Sequence, residues 1–179
     1  MKQIPNLLSA SRLLLAPFVF LLLWRRQYSL ALALLIAAGI TDALDGLAAR
    51  RFGAASKLGA YLDPIADKVL LSGIFLTLAL DGALEPWLAI LVLGRDAAIL
   101  LFAAGAFLFT ESLREFPPSI WGKGSTAAQI LFILALVSHL AGLGSEFVVS
   151  GLKWLTVALA AGSGIDYAWR GLKMVKATT

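Results

Sequence analysis

Long apolar runs separated by short polar or glycine-bearing breaks fill the chain and place six helical spans, at roughly 7–24, 28–50, 60–80, 86–109, 120–141 and 147–169. A bilayer core of ~30 Å needs about 20 helical residues, and several of these runs reach that length. The breaks carry turn chemistry: Asp81-Gly82, Phe116-Pro117-Pro118 and Gly142-Leu143-Gly144-Ser145. No linker, low-complexity segment or internal repeat divides the sequence. The pattern therefore predicts an all-α integral membrane protein, one six-transmembrane-helix bundle forming a single domain over 1–179. The apolar run Leu13–Trp24 after Lys2 resembles a signal peptide in outline, but no small-x-small cleavage site follows, and it is kept as the first membrane helix.

Composition supports a bilayer environment: 60% of the residues are hydrophobic, 15% are charged and the mean hydropathy is +0.87. There is no cysteine, which excludes a disulfide framework and a thiolate metal site, and the single His139 argues against a zinc or haem centre. The net charge of +4 comes from basic residues that flank the apolar runs rather than forming a stripe, so it reads as topology and not as a nucleic-acid surface. With the N-terminus inside, the cytosolic side receives Lys2, Arg50, Arg51, Lys57, Arg114, Lys123, Arg170, Lys173 and Lys176. Arg25 and Arg26 lie on the other side, the one contrary observation, which an interfacial first helix could explain. Both termini are expected in the cytosol. Small residues recur in the spans, as at Ala37-Ala38-Gly39, Ala103–Ala106 and Ala158–Gly164, and read mainly as helix-packing surfaces.

Four aspartates interrupt this apolar pattern. Asp42 and Asp45 are three residues apart and share a helix face with Ala49; Asp63 and Asp67, four apart, share another. The segment Arg51–Leu58 between them is short, so spans two and three are expected to fold back as an antiparallel hairpin that gathers the four carboxylates. Asp42 stands eight residues before Arg50, ~12 Å along a helix, which puts the cluster just below the cytosolic interface. An ionised Asp costs ~3 kcal/mol at the bilayer centre and like charges repel, so the cluster needs protons or cations. Oxygen-only ligands without His or Cys favour hard divalent ions, Mg²⁺ or Mn²⁺, which commonly carry a phosphate as a further ligand. Each acid has a plainer explanation taken singly. Asp63 precedes Pro64 and could cap a helix, and Asp42 or Asp45 could pair with Arg50. Gly46 and Gly59 leave room for a nucleotide against the backbone, and Arg50 offers a fork to phosphate oxygens.

The order Asp42, Asp45-Gly46, Ala49-Arg50, Gly59, Asp63, Asp67 resembles the signature of the CDP-alcohol phosphatidyltransferase family at every fixed position. Pro5–Arg12 resembles the family's opening segment, and Arg95-Asp96 and Gly122-Lys123 fall where related members carry charge. The resemblance implies a six-helix membrane enzyme, often homodimeric, that displaces CMP from a CDP-linked lipid with an alcohol. It implies that Asp42, Asp45, Asp63 and Asp67 bind a pair of metal ions, with Asp67 also the base for the acceptor hydroxyl. Gly46, Ala49, Arg50 and Gly59 would line the CDP site.

The acceptor is less determined. Arg95 and Lys123 are cations near or within the membrane with only Asp96 as a local acid, so they could bind an anionic acceptor; an Arg95 pair with an acid across the bundle is the plain alternative. Glycerol 3-phosphate, giving phosphatidylglycerophosphate from CDP-diacylglycerol, is the leading expectation. Arg95-Asp96, where phosphatidylglycerophosphate synthases usually show Arg-Glu, is more like the cardiolipin synthases, whose acceptor is phosphatidylglycerol. Asn6 and Arg12 could reach the metal site from the first span. Asp166 and Lys153 are too far apart to share a helix turn, His139 reads as an interfacial hydrogen bonder, and Trp87, Trp121, Trp154 and Trp169 as interface anchors. An ion- or proton-coupled transporter is the rival class, disfavoured because the acids gather at one interface and no broken helix or inverted repeat is evident.

Overall fold

A computed structural model describes the backbone of residues 4–52, 57–110 and 120–178, and the side chains of 14–41, 67–101, 120–167 and 169. Among the described residues six helices follow one another: α1 (Ile4–Trp24), α2 (Tyr28–Phe52), α3 (Lys57–Leu80), α4 (Pro86–Thr110), α5 (Ile120–Leu140) and α6 (Glu146–Thr178). The described residues form no strand. The helices coincide with the six apolar runs but overrun some of them: α2 continues through Arg51, α3 begins at Lys57, and α6 extends past Trp169. Among the described residues, two helices are long and apolar enough to cross a membrane, Ile120–Leu140 and Glu146–Tyr167, with shorter apolar stretches at Leu14–Trp24 and Tyr28–Thr41.

The turns are made by the residues their chemistry predicted. Gly82 (φ 77°) and Gly142 (φ 79°) adopt the left-handed conformation that ends a helix without a Cβ penalty. Amides just past each helix return to its last carbonyls, Ala83 to Leu78 at 2.9 Å and Leu143 to Ser138 at 2.9 Å. At Gly144 a Cβ would lie 2.7 Å from the His139 nitrogen, so this second glycine of the turn is required by space. The Phe116-Pro117-Pro118 break lies outside the described residues.

The chain separates into two compact units, Met1–Leu84 with Leu136–Gly144, and Glu85–Ala135 with Ser145–Thr179. In the first, α1 packs against both α2 and α3. Its inward face, Ala16, Val19 and Leu23, follows helical spacing and meets a core that includes Ala31, Leu32, Ile74, Phe75 and Leu78. Gly73 lets the Phe20 ring lie against the α3 backbone where a side chain would collide with it. In this unit Arg26, the one described non-glycine residue with positive φ (56°), sits in the turn between α1 and α2. Its guanidinium pairs with Asp81 at 3.2 Å, and the Tyr28 hydroxyl donates to the same carboxylate at 3.2 Å. The Arg pair that ran against the expected orientation thus includes a residue with a structural task in a turn.

The second unit contains α4, most of α5 and α6. Here α4 and α6 pack side by side in parallel: Glu85 with Lys153 and Arg95 with Ser163 each join residues 68 apart, a constant offset along the pair. Leu88, Ala89 and Val92 on α4, Ala128, Phe132 and Ile133 on α5 and Ala160 on α6 are buried. The outward faces are apolar as well. Leu14 and Phe18 on α1, Ile90 and Leu101 on α4 and Ile165 on α6 are all exposed, which makes the helices hydrophobic all round, as lipid contact requires.

Candidate active site

Asp42, Asp45, Gly46, Ala49 and Arg50 occupy consecutive turns of α2, and Gly59, Asp63 and Asp67 successive turns of α3. The signature therefore lies on two uninterrupted helices joined by four residues, 53–56. Asp63 is the seventh residue of α3, so the helix-cap explanation drawn from the following Pro64 is corrected: the helix starts well before it. Of the four acids, Asp67 is the one whose side chain lies among the described residues, and it is exposed. The side chains of the other signature residues, and the convergence expected of the four carboxylates, lie outside the described residues, as do those of Asn6 and Arg12. No cluster of three or more acids or histidines occurs among the described side chains.

The second unit holds a polar centre whose geometry is explicit. Arg95 and Asp96 are both buried in α4, with side-chain exposures of 8% and 6%, and Arg95 donates from Nη1 to Asp96 Oδ1 at 2.6 Å. Its Nη2 donates to the Ser163 hydroxyl of α6, itself fully buried. The Tyr167 ring, one turn further along α6, has its centroid 6.0 Å from the guanidinium carbon. Gly122 of α5 closes the third side: a Cβ there would stand 3.3 Å from the Tyr167 hydroxyl and 3.5 Å from Arg95 Nη2. The third guanidinium nitrogen, Nε, is buried and has no hydrogen-bond partner, an arrangement that costs about 1–3 kcal/mol unless something else accepts its proton.

Of the two cations the sequence singled out, Arg95 lies at this centre, in company the sequence did not name. Arg95 pairs with its chain neighbour Asp96 rather than with an acid across the bundle, and Lys123, next to Gly122, is exposed and makes no ion pair among the described residues. Ser163 and Tyr167 went unnoticed. The signal that could have found Ser163 is its place inside the small-residue stretch Ala158–Gly164: a hydroxyl on a surface built for close helix approach faces a neighbouring helix.

A cleft of about 470 Å³ runs along the α4–α6 pair, with Ile90, Gly94 and Ala98 on one wall and Ala160, Ala161 and Gly164 on the other. Its lining is apolar except at Arg95 and Tyr167. Away from the cleft, Lys153 pairs with Glu85 at 2.9 Å and lies 5.8 Å from the Trp154 ring, which is tilted against Trp87 with centroids 6.3 Å apart. His139 Nδ1 donates to the Gly144 carbonyl at 3.2 Å.

The family profile for CDP-alcohol phosphatidyltransferases matches residues 2–162, nearly the whole chain. The chain belongs to the CDP-alcohol phosphatidyltransferase family. Its transferase class follows, and the transporter alternative falls away. Among similar proteins, the CDP-diacylglycerol–glycerol-3-phosphate 3-phosphatidyltransferase of Aquifex aeolicus is 34% identical, over 97% of this chain and 98% of that one. A probable phosphatidylglycerophosphate synthase of Mycobacterium tuberculosis is 31% identical over 96% of this chain and 82% of its own. A probable CMP-forming cardiolipin synthase of Drosophila melanogaster is 32% identical over 92% of this chain, which spans about half of that longer protein, 56%. CDP-alcohol phosphatidyltransferases are membrane enzymes and in general depend on divalent metal.

Proposed function

We propose that this CDP-alcohol phosphatidyltransferase transfers the phosphatidyl group of CDP-diacylglycerol to glycerol 3-phosphate, forming phosphatidylglycerophosphate and releasing CMP. The observation that carries this reading is the complete signature on the continuous helices α2 and α3, in a chain that aligns over nearly its full length with the Aquifex glycerol-3-phosphate enzyme. The donor set Asp42, Asp45, Asp63 and Asp67 is all carboxylate, and the location of Asp63 inside α3 removes its competing local role. Such a set fits a pair of Mg²⁺ or Mn²⁺ ions. When bound, these ions supply charge neutralisation for the diphosphate and the departing CMP.

In this reading Asp67 accepts the proton of the acceptor hydroxyl as its oxygen bonds to the phosphorus next to diacylglycerol, and the bond from that phosphorus to the CMP phosphate breaks. Arg50 holds a CDP phosphate by its fork, and Gly46, Ala49 and Gly59 leave room for the nucleotide. Arg95 and Lys123 bind the acceptor's phosphate. The place of Arg95 in the lining of the α4–α6 cleft supports its part in this, and the exposure of Lys123 leaves it available to an anion. The six helices all span the cytoplasmic membrane as one domain, with both termini and the acids on the cytosolic side. The Arg26–Asp81 pair supports that orientation by giving the contrary arginine a local partner. The enzyme acts as a homodimer among membrane lipids, without nucleic acid.

A second reading, cardiolipin synthesis with phosphatidylglycerol as acceptor, is favoured by Arg95-Asp96 and by the likeness to the Drosophila protein. The two are separated by measuring CMP release from CDP-diacylglycerol with Mg²⁺ or Mn²⁺ and each acceptor in turn. Release with glycerol 3-phosphate and not with phosphatidylglycerol is expected. The reverse pattern selects the second reading, and no release with glycerol 3-phosphate, phosphatidylglycerol, inositol phosphate or serine from folded protein defeats both.

A further inference from the structure

Three helices bring a phenol and a guanidinium to one point. The Tyr167 ring centroid of α6 is 6.0 Å from the Arg95 guanidinium carbon of α4. A Cβ at Gly122 of α5 would stand 3.3 Å from the Tyr167 hydroxyl and 3.5 Å from Arg95 Nη2. Asp96 and Ser163 are each engaged with Arg95, whereas the Tyr167 hydroxyl makes no hydrogen bond among the described residues. Nη2 carries two hydrogens, and Ser163 accepts one of them. A hydroxyl and a guanidinium nitrogen thus flank the same glycine, and the next residue of α5 is the exposed Lys123.

A plainer role for either residue leaves something unexplained. A tyrosine that only anchors a helix at the membrane surface puts its ring among lipid and its hydroxyl in water. This half-buried ring instead accompanies a buried guanidinium, and the residue lines the cleft beside it. A glycine that only admits a neighbouring helix meets backbone or apolar carbon, yet the two atoms nearest a Cβ at Gly122 are polar. Glycine weakens a helix relative to alanine, and at this position it keeps those two atoms uncrowded. One charged donor and one neutral donor at a common point match a phosphate: the guanidinium supplies charge, and the phenol supplies a directed hydrogen bond without adding charge.

We propose that the Tyr167 hydroxyl is a further acceptor-binding group, donating a hydrogen bond to the phosphate beside the acceptor's glycerol. The inference rests on the acceptor role given above to Arg95 and Lys123 and deepens it. Glycerol 3-phosphate and phosphatidylglycerol both carry that phosphate, so Tyr167 serves whichever of them the enzyme uses. An alcohol without a phosphate, such as glycerol, gains nothing from it. Gly122 then sets the room in which the hydroxyl turns toward the acceptor.

The test is Tyr167→Phe in the purified full-length protein, a change that removes one oxygen and keeps the ring beside Arg95. CMP release is measured while glycerol 3-phosphate, phosphatidylglycerol and CDP-diacylglycerol are each varied. The KM for the acceptor is expected to rise roughly tenfold, the worth of one hydrogen bond to a charged group, with the KM for CDP-diacylglycerol unchanged. The acceptor whose KM moves names the source of the phosphate. Gly122→Ala, which crowds the hydroxyl without removing it, should raise the same KM. An unchanged acceptor KM in Tyr167→Phe overturns the proposal, because the hydroxyl then serves only water. So does an equal rise for CDP-diacylglycerol, or a lowered melting temperature with no change in the acceptor KM, either of which makes the phenol structural. Equilibrium binding of radiolabelled glycerol 3-phosphate and phosphatidylglycerol separates this idea from the proposed reaction. If wild type releases no CMP, the reaction fails, yet a tenfold loss of binding in Tyr167→Phe still supports the hydroxyl's role, and equal binding or none by wild type overturns it.

Discussion

Arg95 of α4 and Ser163 of α6 meet through a guanidinium-to-hydroxyl hydrogen bond buried in the second unit. Because Asp96 takes Nη1 and Ser163 takes Nη2, the guanidinium cannot rotate freely, and Nε is the nitrogen without a partner. Ser163 is thus a positioning residue for Arg95. Ser163→Ala is expected to raise the KM for the anionic acceptor roughly tenfold, the loss of one hydrogen bond to a charged group, with the KM for CDP-diacylglycerol unchanged. Ser163→Thr, which keeps the hydroxyl, should restore most of the difference. A purely structural serine would instead lower kcat for both substrates together or lower the melting temperature alone.

Asp67→Asn is expected to reduce CMP release by roughly 10²–10⁴-fold, the usual worth of a general base, while nucleotide binding partly survives. The substitution keeps the shape of the side chain and one oxygen for ligation but cannot take a proton. Steady-state CMP release beside titration with CDP gives both numbers. Near-normal turnover removes Asp67 as the base.

Removing divalent metal with a chelator is expected to abolish CMP release, and Mg²⁺ or Mn²⁺ to restore it. Binding without turnover gives the cleaner readout: Mn²⁺ titrated into the protein should bind, and Asp42→Asn or Asp63→Asn should weaken that binding. Carboxylates are hard ligands, and with no cysteine anywhere in the chain a soft thiolophilic ion has no thiolate donor. Unchanged Mn²⁺ affinity in either variant takes that residue out of the ligand set.

Much of this was legible in the sequence because the energetic signals were large. Apolar runs of membrane length fix where helices lie, and Gly82 and Gly142 stand where the chain needs a left-handed residue. The local reading of Asp63-Pro64 failed because a proline is also tolerated within a membrane helix; the apolar, helix-forming sequence on either side carried α3 through it. What could not be read was partnership over distance. Ser163 and Tyr167 join Arg95 through the packing register of α4 on α6, and Asp81 joins Arg26 through the return of α3 beside α1. Such pairings depend on how small residues let helices settle, and no motif encodes them.

Gly73 and Phe20 offer the sharpest test of the packing in the first unit. The Phe20 ring of α1 rests where a Gly73 side chain would be, so Gly73→Ala must push α1 and α3 apart or drive the ring out of its place. Overpacking of this kind typically costs about 1–3 kcal/mol, more than the helix propensity gained by alanine. Gly73→Ala is therefore expected to lower the melting temperature of the purified protein, and Phe20→Leu combined with it to recover much of the loss, because the smaller side chain vacates the space. The double-mutant cycle carries the argument: additive effects of the two substitutions would mean that Phe20 and Gly73 are not in contact. A favourable coupling ties the α1–α3 packing to this one ring, on the helix that continues through Gly59, Asp63 and Asp67.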